Sequence, residues 1–197
     1  MEPPVSERKS RVESPERCIR TRGIRAAMSA LCDFGPHASL ERVAELAGCP
    51  KASLARVFES KESLFLQALA ELDRLSMIEL RSICEKAGGG RAGALAAAEA
   101  SAARARSPSF KGCPINAAAA SLALCPWAAA AVAQHKNNVI LFYAGALEIE
   151  IGSERAILCA QAIAVIIDGA HINASGGFGP GCAQAAASAI RAVIQLG

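Results

Sequence analysis

Apolar residues recur at intervals of three and four along most of the chain. Ile24, Ala27, Met28, Leu31 and Phe34 form the first such row, the one-sided pattern of an α-helix starting from Arg17. Gly35-Pro36 ends it, because proline disfavours helical geometry in its predecessor and glycine tolerates left-handed angles. Ser39 offers its hydroxyl to an orphan backbone N–H. Leu40, Val43, Ala44 and Ala47 then place a second helix that stops at Gly48. A third, short helix follows Pro50 with Leu54, Val57 and Phe58 apolar. Ser60 caps a long fourth helix, in which Leu64, Ala68, Leu72 and Leu75 repeat about once per turn as far as Ala87. The run "GGGR" at 88–91 breaks it.

Beyond the break the pattern predicts five further helices over 92–106, 114–124, 126–149, 154–173 and 180–195. Pro126 and Pro180 suit a first helical turn, where the missing N–H costs nothing. The expectation is all-α throughout, and composition agrees: 52% of residues are hydrophobic, alanine is abundant, and Tyr and Trp occur once each. Alanine is the best helix former, and a sheet would need more β-branched and aromatic runs. At 197 residues the chain is long enough to bury a core. It divides into a basic, proline-containing arm over 1–16 expected to be poorly ordered, three helices over 17–62, a connector over 61–87, and a helical domain over 88–197.

Net charge is only +3, too little to announce a nucleic-acid partner. Its placement says more. From Lys111 onward acidic and basic residues cancel, so the whole excess lies earlier, and Met1 to Arg25 forms a modestly basic stretch. The eight cysteines show no zinc or Cys-x-x-Cys spacing. The charged start has no apolar core of a secretory signal, so the thiols are expected to be reduced and the chain cytoplasmic. The low-charge stretch Ala117 to Ala133 contains Pro126 and makes a poor membrane span. No cofactor or metal is expected, and no nucleophile–base–orienter trio points to an enzyme: His135, His171 and Asp168 are the nearest approach to one.

Three short helices with a glycine turn between the second and third suit a helix-turn-helix. In such a unit the third helix puts its N-terminal residues into the major groove of DNA. Lys51, Ala52, Ser53, Ala55 and Arg56 are outward by period, while Leu54, Val57 and Phe58 are inward. Pattern alone leaves an ordinary helical corner open. The run "SLERVAELAGCPKASLARVFESKESLF" adds to it, with "VAELAG", "KASL" and "FESKESL" in order. Over Ile24 to Leu66 the chain resembles the N-terminal domain of TetR-family transcriptional regulators.

The resemblance implies roles residue by residue. Ser39 would donate to a phosphate, or only cap its helix. Lys51 and Ser53 fall where the family touches phosphate or base edges, with Ala52 in the usual glycine's place. Arg56 is the candidate for reading a guanine, since its fork fits O6 and N7. Lys61 opens the fourth helix, where the family contacts phosphate. Ala55 stands where tyrosine is usual, which should weaken binding, with Arg17, Arg20 and Arg22 as possible substitutes. Val57 replaces a residue that is often polar, Pro50 a serine, and Cys49 a valine; Cys49 is expected to pack into the turn as a small hydrophobe.

For the second half, the resemblance implies a pocket for a small-molecule inducer and a homodimer through the last two helices. The nearly all-apolar run "AILCAQAIAVIIDGAHINA" fits such a dimer. The double-stranded operator would then be an inverted repeat. Pocket candidates are Phe110, Cys113, Asn116, Trp127, Phe142, Tyr143 and His171, each aromatic equally suited to the core. "FKGCPINAAAASLA" resembles the Gly-Cys segment of a TetR branch that includes electrophile-responsive repressors. Lys111 and a following helix N-terminus would favour the Cys113 thiolate. The expected function is a repressor released by an inducer. The alternatives are a thiol-sensing repressor through Cys113, or an interaction module that has lost DNA binding.

Overall fold

The computed structural model describes residues 14–178 and 181–196. Among them it contains α1 (Pro15–Phe34), α2 (Leu40–Ala47), α3 (Lys51–Val57), α4 (Lys61–Lys86), α5 (Gly90–Ala103), α6 (Pro114–Ala120), α7 (Ala129–Ile151), α8 (Ser153–Ser175) and α9 (Gly181–Leu196), with no strand. The all-α expectation holds.

The differences lie at element ends. Helix α1 starts at Pro15 because the Ser14 hydroxyl accepts from the Arg17 N–H at 3.3 Å. Ser14 therefore caps this helix and residues 15–16 belong to it, and the rest of the arm, like Pro180, lies outside the described residues. The helix predicted over 92–106 tightens into a 3-10 turn at Arg104–Arg106, and the one predicted over 114–124 stops at Ala120. Pro126–Ala128 is a 3-10 turn that leads into α7.

Two hydrophobic clusters organise the helices. The lower one joins Leu31, Val43, Leu54, Leu64 and Phe65, and also takes Ile115, Ala118, Ala128 and Val132 from α6 and the start of α7. The upper one joins Leu80, Tyr143, Leu147, Ile163 and Ile190 with the alanines of α5. Gly93, Ala94, Ala97, Ala98 and Ala102 are the buried residues of α5, so its neighbours approach closely. The last two helices run antiparallel: the Arg155 guanidinium donates to the Leu196 carbonyl at 3.0 Å, joining the start of α8 to the end of α9.

Helix α8 is long and apolar enough to cross a membrane, a property absent from the 117–133 stretch weighed above. Its inner side, with Ala156, Ala160 and Ile163, belongs to the upper cluster. Leu158, Val165 and Ile172, seven residues apart, form an exposed row on the other side.

Candidate functional site

The turn between α2 and α3 is closed from two directions. Gly48 adopts a left-handed conformation (φ 58°, ψ 41°), and the Cys49 and Gly48 N–H groups donate to the Ala44 and Glu45 carbonyls at 3.1 and 3.0 Å, a Schellman closure. From α1, Arg22 donates to the Ala47 carbonyl (2.9 Å through Nε) and to the Gly48 carbonyl (2.5 Å). A side chain at Gly48 would come within 3.1 Å of this guanidinium. Cys49 packs half-buried against the lower cluster.

Beyond this turn α3 presents Lys51, Ala52, Ala55 and Arg56 to solvent, Ser53 and Val57 are half-buried, and Leu54 and Phe58 face inward. Arg56 makes no hydrogen bond or ion pair among the described residues. Lys51, by contrast, pairs with Glu41 of α2. That bond, with help from the local backbone N–H and Ser39, lowers the Glu41 pKa to about 2. Ser39 caps α2, accepting from the Arg42 N–H at 3.2 Å. Lys61 opens α4 with its ammonium 5.8 Å from the Phe65 ring centre. The arm charges differ from expectation. Arg20 donates to the Val57 carbonyl (3.0 Å) and Gln67 (2.9 Å), and Arg22 holds the turn. Both brace the three-helix unit, because their guanidiniums donate to its own carbonyls.

A cavity of about 330 Å³ lies above this unit, enclosed by α4, α5, α7 and α8 and reached from below by Met28 of α1. Phe110, Cys113, Tyr143 and His171 all line it. Phe110 lies against His171, ring centres 5.0 Å apart. Asn116 lies behind the wall, where it accepts from Lys136 at 2.6 Å. Trp127 is elsewhere, stacked on Phe65 at 6.1 Å in the lower core. Phe142 borders a separate surface groove with Arg74 and Leu141.

Sequence reasoning missed most of the polar wall. Lys136 bonds Asp168 at 2.5 Å, and Arg104 bonds Glu79 at 3.2 Å. Asp168 and His171, three residues apart on α8, do not bond each other: Asp168 takes Lys136, and His171 Nε2 meets the Ser101 carbonyl at 2.9 Å. His135 is set against Asp73 at 2.8 Å. A signal existed. Lys136 is the lone formal charge between Lys111 and Glu148, and Asp168 the lone one between Arg155 and Arg191; isolated charges in apolar helices need partners.

Burial lowers the His171 pKa from 6.5, and Arg104 and Lys136 act in the same direction. The Ser101 bond and Asp168 act against it. The unfolded chain therefore binds this proton at a higher pH than the fold does. The stability that neutral His171 contributes is present above about pH 6.5 and is lost as pH falls from there toward its depressed folded value. Melting temperatures measured between pH 7.5 and 5.5 should fall further for the wild type than for His171→Gln. Equal slopes would remove His171 from the account.

No protein-family model and no curated protein matches the chain. Solved structures do. A TetR-family transcriptional regulator from Streptomyces coelicolor superposes with a TM-score of 0.78 at 22% identity, covering 90% of this chain and 89% of its own. The chain has the TetR-regulator fold. The reduced form of Escherichia coli NemR shares this TetR fold, with a TM-score of 0.74 at 19% identity over 89% of this chain and 96% of its own. So does a cysteine-substituted form of the TetR-family regulator CifR, complexed with a 26-base-pair operator, at a TM-score of 0.72 and 22% identity over 87% and 95% of the two chains. In TetR terms α1 to α3 make the N-terminal helix-turn-helix, and the cavity lies between α4 and the helices that follow it.

Proposed function

We propose that the chain is a DNA-binding transcriptional regulator of the TetR family, acting in the cytoplasm as a homodimeric repressor. The observation that carries this reading is α3 itself: a braced glycine turn leads into a helix whose outer side offers Arg56 with no partner among the described residues, and Lys51 and Ser53 at its N-terminal end. Such a helix fits the major groove, and phosphate contacts from Lys51, Lys61 and Ser39 would set its register. The exposed row Leu158, Val165 and Ile172 beside the exposed Ala185, Ala189 and Ala192 of α9 supports a four-helix dimer interface. Two recognition helices then meet an inverted repeat, with half-sites about 34–36 Å apart.

Release requires a ligand that favours a form with the recognition helices wrongly spaced. The route is short. Cys113 and Gly112 line the cavity, and the adjoining Lys111 bonds Asp33 of α1 at 2.5 Å. Ile115 and Ala118 of α6 pack into the lower cluster with α1. A ligand that displaces the 110–113 segment thus acts on the first helix of the DNA-binding unit. The test is fluorescence anisotropy of the purified dimer on DNA from upstream of its own coding sequence. Salt-sensitive binding is expected; a folded dimer that binds at no salt concentration would favour an interaction module instead.

Lys51 supplies a second expectation. Glu41 holds its ammonium away from phosphate, so Glu41→Gln should tighten operator binding by about two- to five-fold, the scale of an exposed ion pair. The gain should shrink in a Lys51→Ala background. An equal gain in both backgrounds would mean that only bulk charge changed.

A thiol-responsive version of this function draws on one observation. Cys113 precedes α6 in the cavity wall, near Cys32 of α1, whose pKa is raised mainly by burial and then by Asp33. Treatment with an electrophile should then release the operator from the wild type and leave Cys113→Ser bound. Unchanged release in the variant excludes this version.

A further inference from the structure

The four formally charged residues that border the cavity cancel in pairs: Lys136 with Asp168 at 2.5 Å, and Arg104 with Glu79 at 3.2 Å. No unpaired ionic group is left for a charged ligand, and an ion brought there would lose its hydration without gaining a counter-ion. Leu72, Leu80, Val139 and Ile167 supply much of the remaining wall. Two buried polar groups stay open. The Tyr143 hydroxyl is buried with no hydrogen-bond partner. Ser101 lies beside it and draws its pKa down, but the Ser101 oxygen, whose own proton goes to the Ala97 carbonyl, does not meet the phenol in hydrogen-bond geometry. The other open group is His171 Nδ1: with Nε2 donating to the Ser101 carbonyl, the neutral ring keeps a lone pair there.

We propose that this cavity takes an uncharged, largely apolar ligand bearing one carbonyl-type oxygen, which accepts a hydrogen bond from the Tyr143 hydroxyl. Burial raises the Tyr143 pKa far above neutrality, so the phenol is a donor at every physiological pH. A buried donor without an acceptor is unfavourable in the empty protein. A ligand oxygen removes that penalty, whereas a hydrocarbon of the same shape does not, and this difference is a source of selectivity. A cavity of about 330 Å³ lies in the range of sites that enclose a fused-ring molecule. The assignment rests on the reading of this cavity as the effector site, but its test does not depend on DNA.

Calorimetric titration of the full chain with 2-acetonaphthone, 2-ethylnaphthalene and 2-naphthoate separates the possibilities. The ketone should bind most tightly, and the carboxylate at least about ten-fold more weakly. Tyr143→Phe should weaken the ketone about ten-fold, the value of one hydrogen bond to a buried donor, and leave the hydrocarbon unchanged. Naphthoate binding as tightly as the ketone, equal ketone affinity in both proteins, or no binding by any of the three overturns the proposal. If Tyr143→Phe does not fold, the order of the three ligands on the wild type decides alone. Ketone binding without operator release would uphold the ligand class and count against the effector role.

Discussion

Gly93→Ala is expected to destabilise the protein by about 2 kcal/mol, lowering its melting temperature by roughly 4–8 °C. An alanine inside an ordinary helix would stabilise by up to about 1 kcal/mol. Here the new methyl would lie 2.7 Å from the Cys84 carbonyl oxygen and 2.5 Å from its sulfur. The sulfur can rotate away, but the carbonyl cannot. It accepts the Gly89 N–H at 2.9 Å and so closes the end of α4. Moving it would open the corner from which α5 starts. A neutral or stabilising result in thermal denaturation would show that α4 and α5 separate easily.

Arg56→Ala is expected to reduce operator affinity by about 1–3 kcal/mol for each half-site and to relax base preference at one position in each. Arg56 is the exposed α3 cation without a partner among the described residues, so its fork is available for a guanine edge. Lys at this position should restore charge without the bidentate geometry. Anisotropy titrations against operators substituted base by base distinguish the roles. A loss uniform across all sequences, with a shallower salt dependence, would make Arg56 a phosphate contact.

The helix-turn-helix was legible because its determinants are local. Gly48, the caps at Ser39 and Ser60, and the inward spacing of Leu54 and Phe58 all act within a few residues of where they stand. The opening stretch Arg20 to Arg22 shows the limit: its guanidiniums read as free charge, yet they meet carbonyls and a glutamine 25 to 47 residues away. The cavity shows it more fully. Periodicity assigns a residue to one side of its own helix and is silent on which helix faces it. Phe110, Cys113, Tyr143 and His171 therefore emerged as candidates together with Trp127 and Phe142, which have the same aromatic character but point elsewhere. The Lys136–Asp168 pair, 32 residues apart, depends on how α7 and α8 lie together.

The lower cluster bears on how such a protein can be recombined. Ile115, Ala118, Ala128 and Val132 belong to the same core as Leu31 and Leu54, so the seam between the two hydrophobic clusters does not coincide with any single cut in the chain. A chimaera that joined residues 14–62 to a foreign C-terminal part would leave the top of the three-helix unit facing unfamiliar side chains. The segment from Cys113 to Val132 is the adaptor that must travel with it, and it is where sequence drift on one side obliges a matching change on the other.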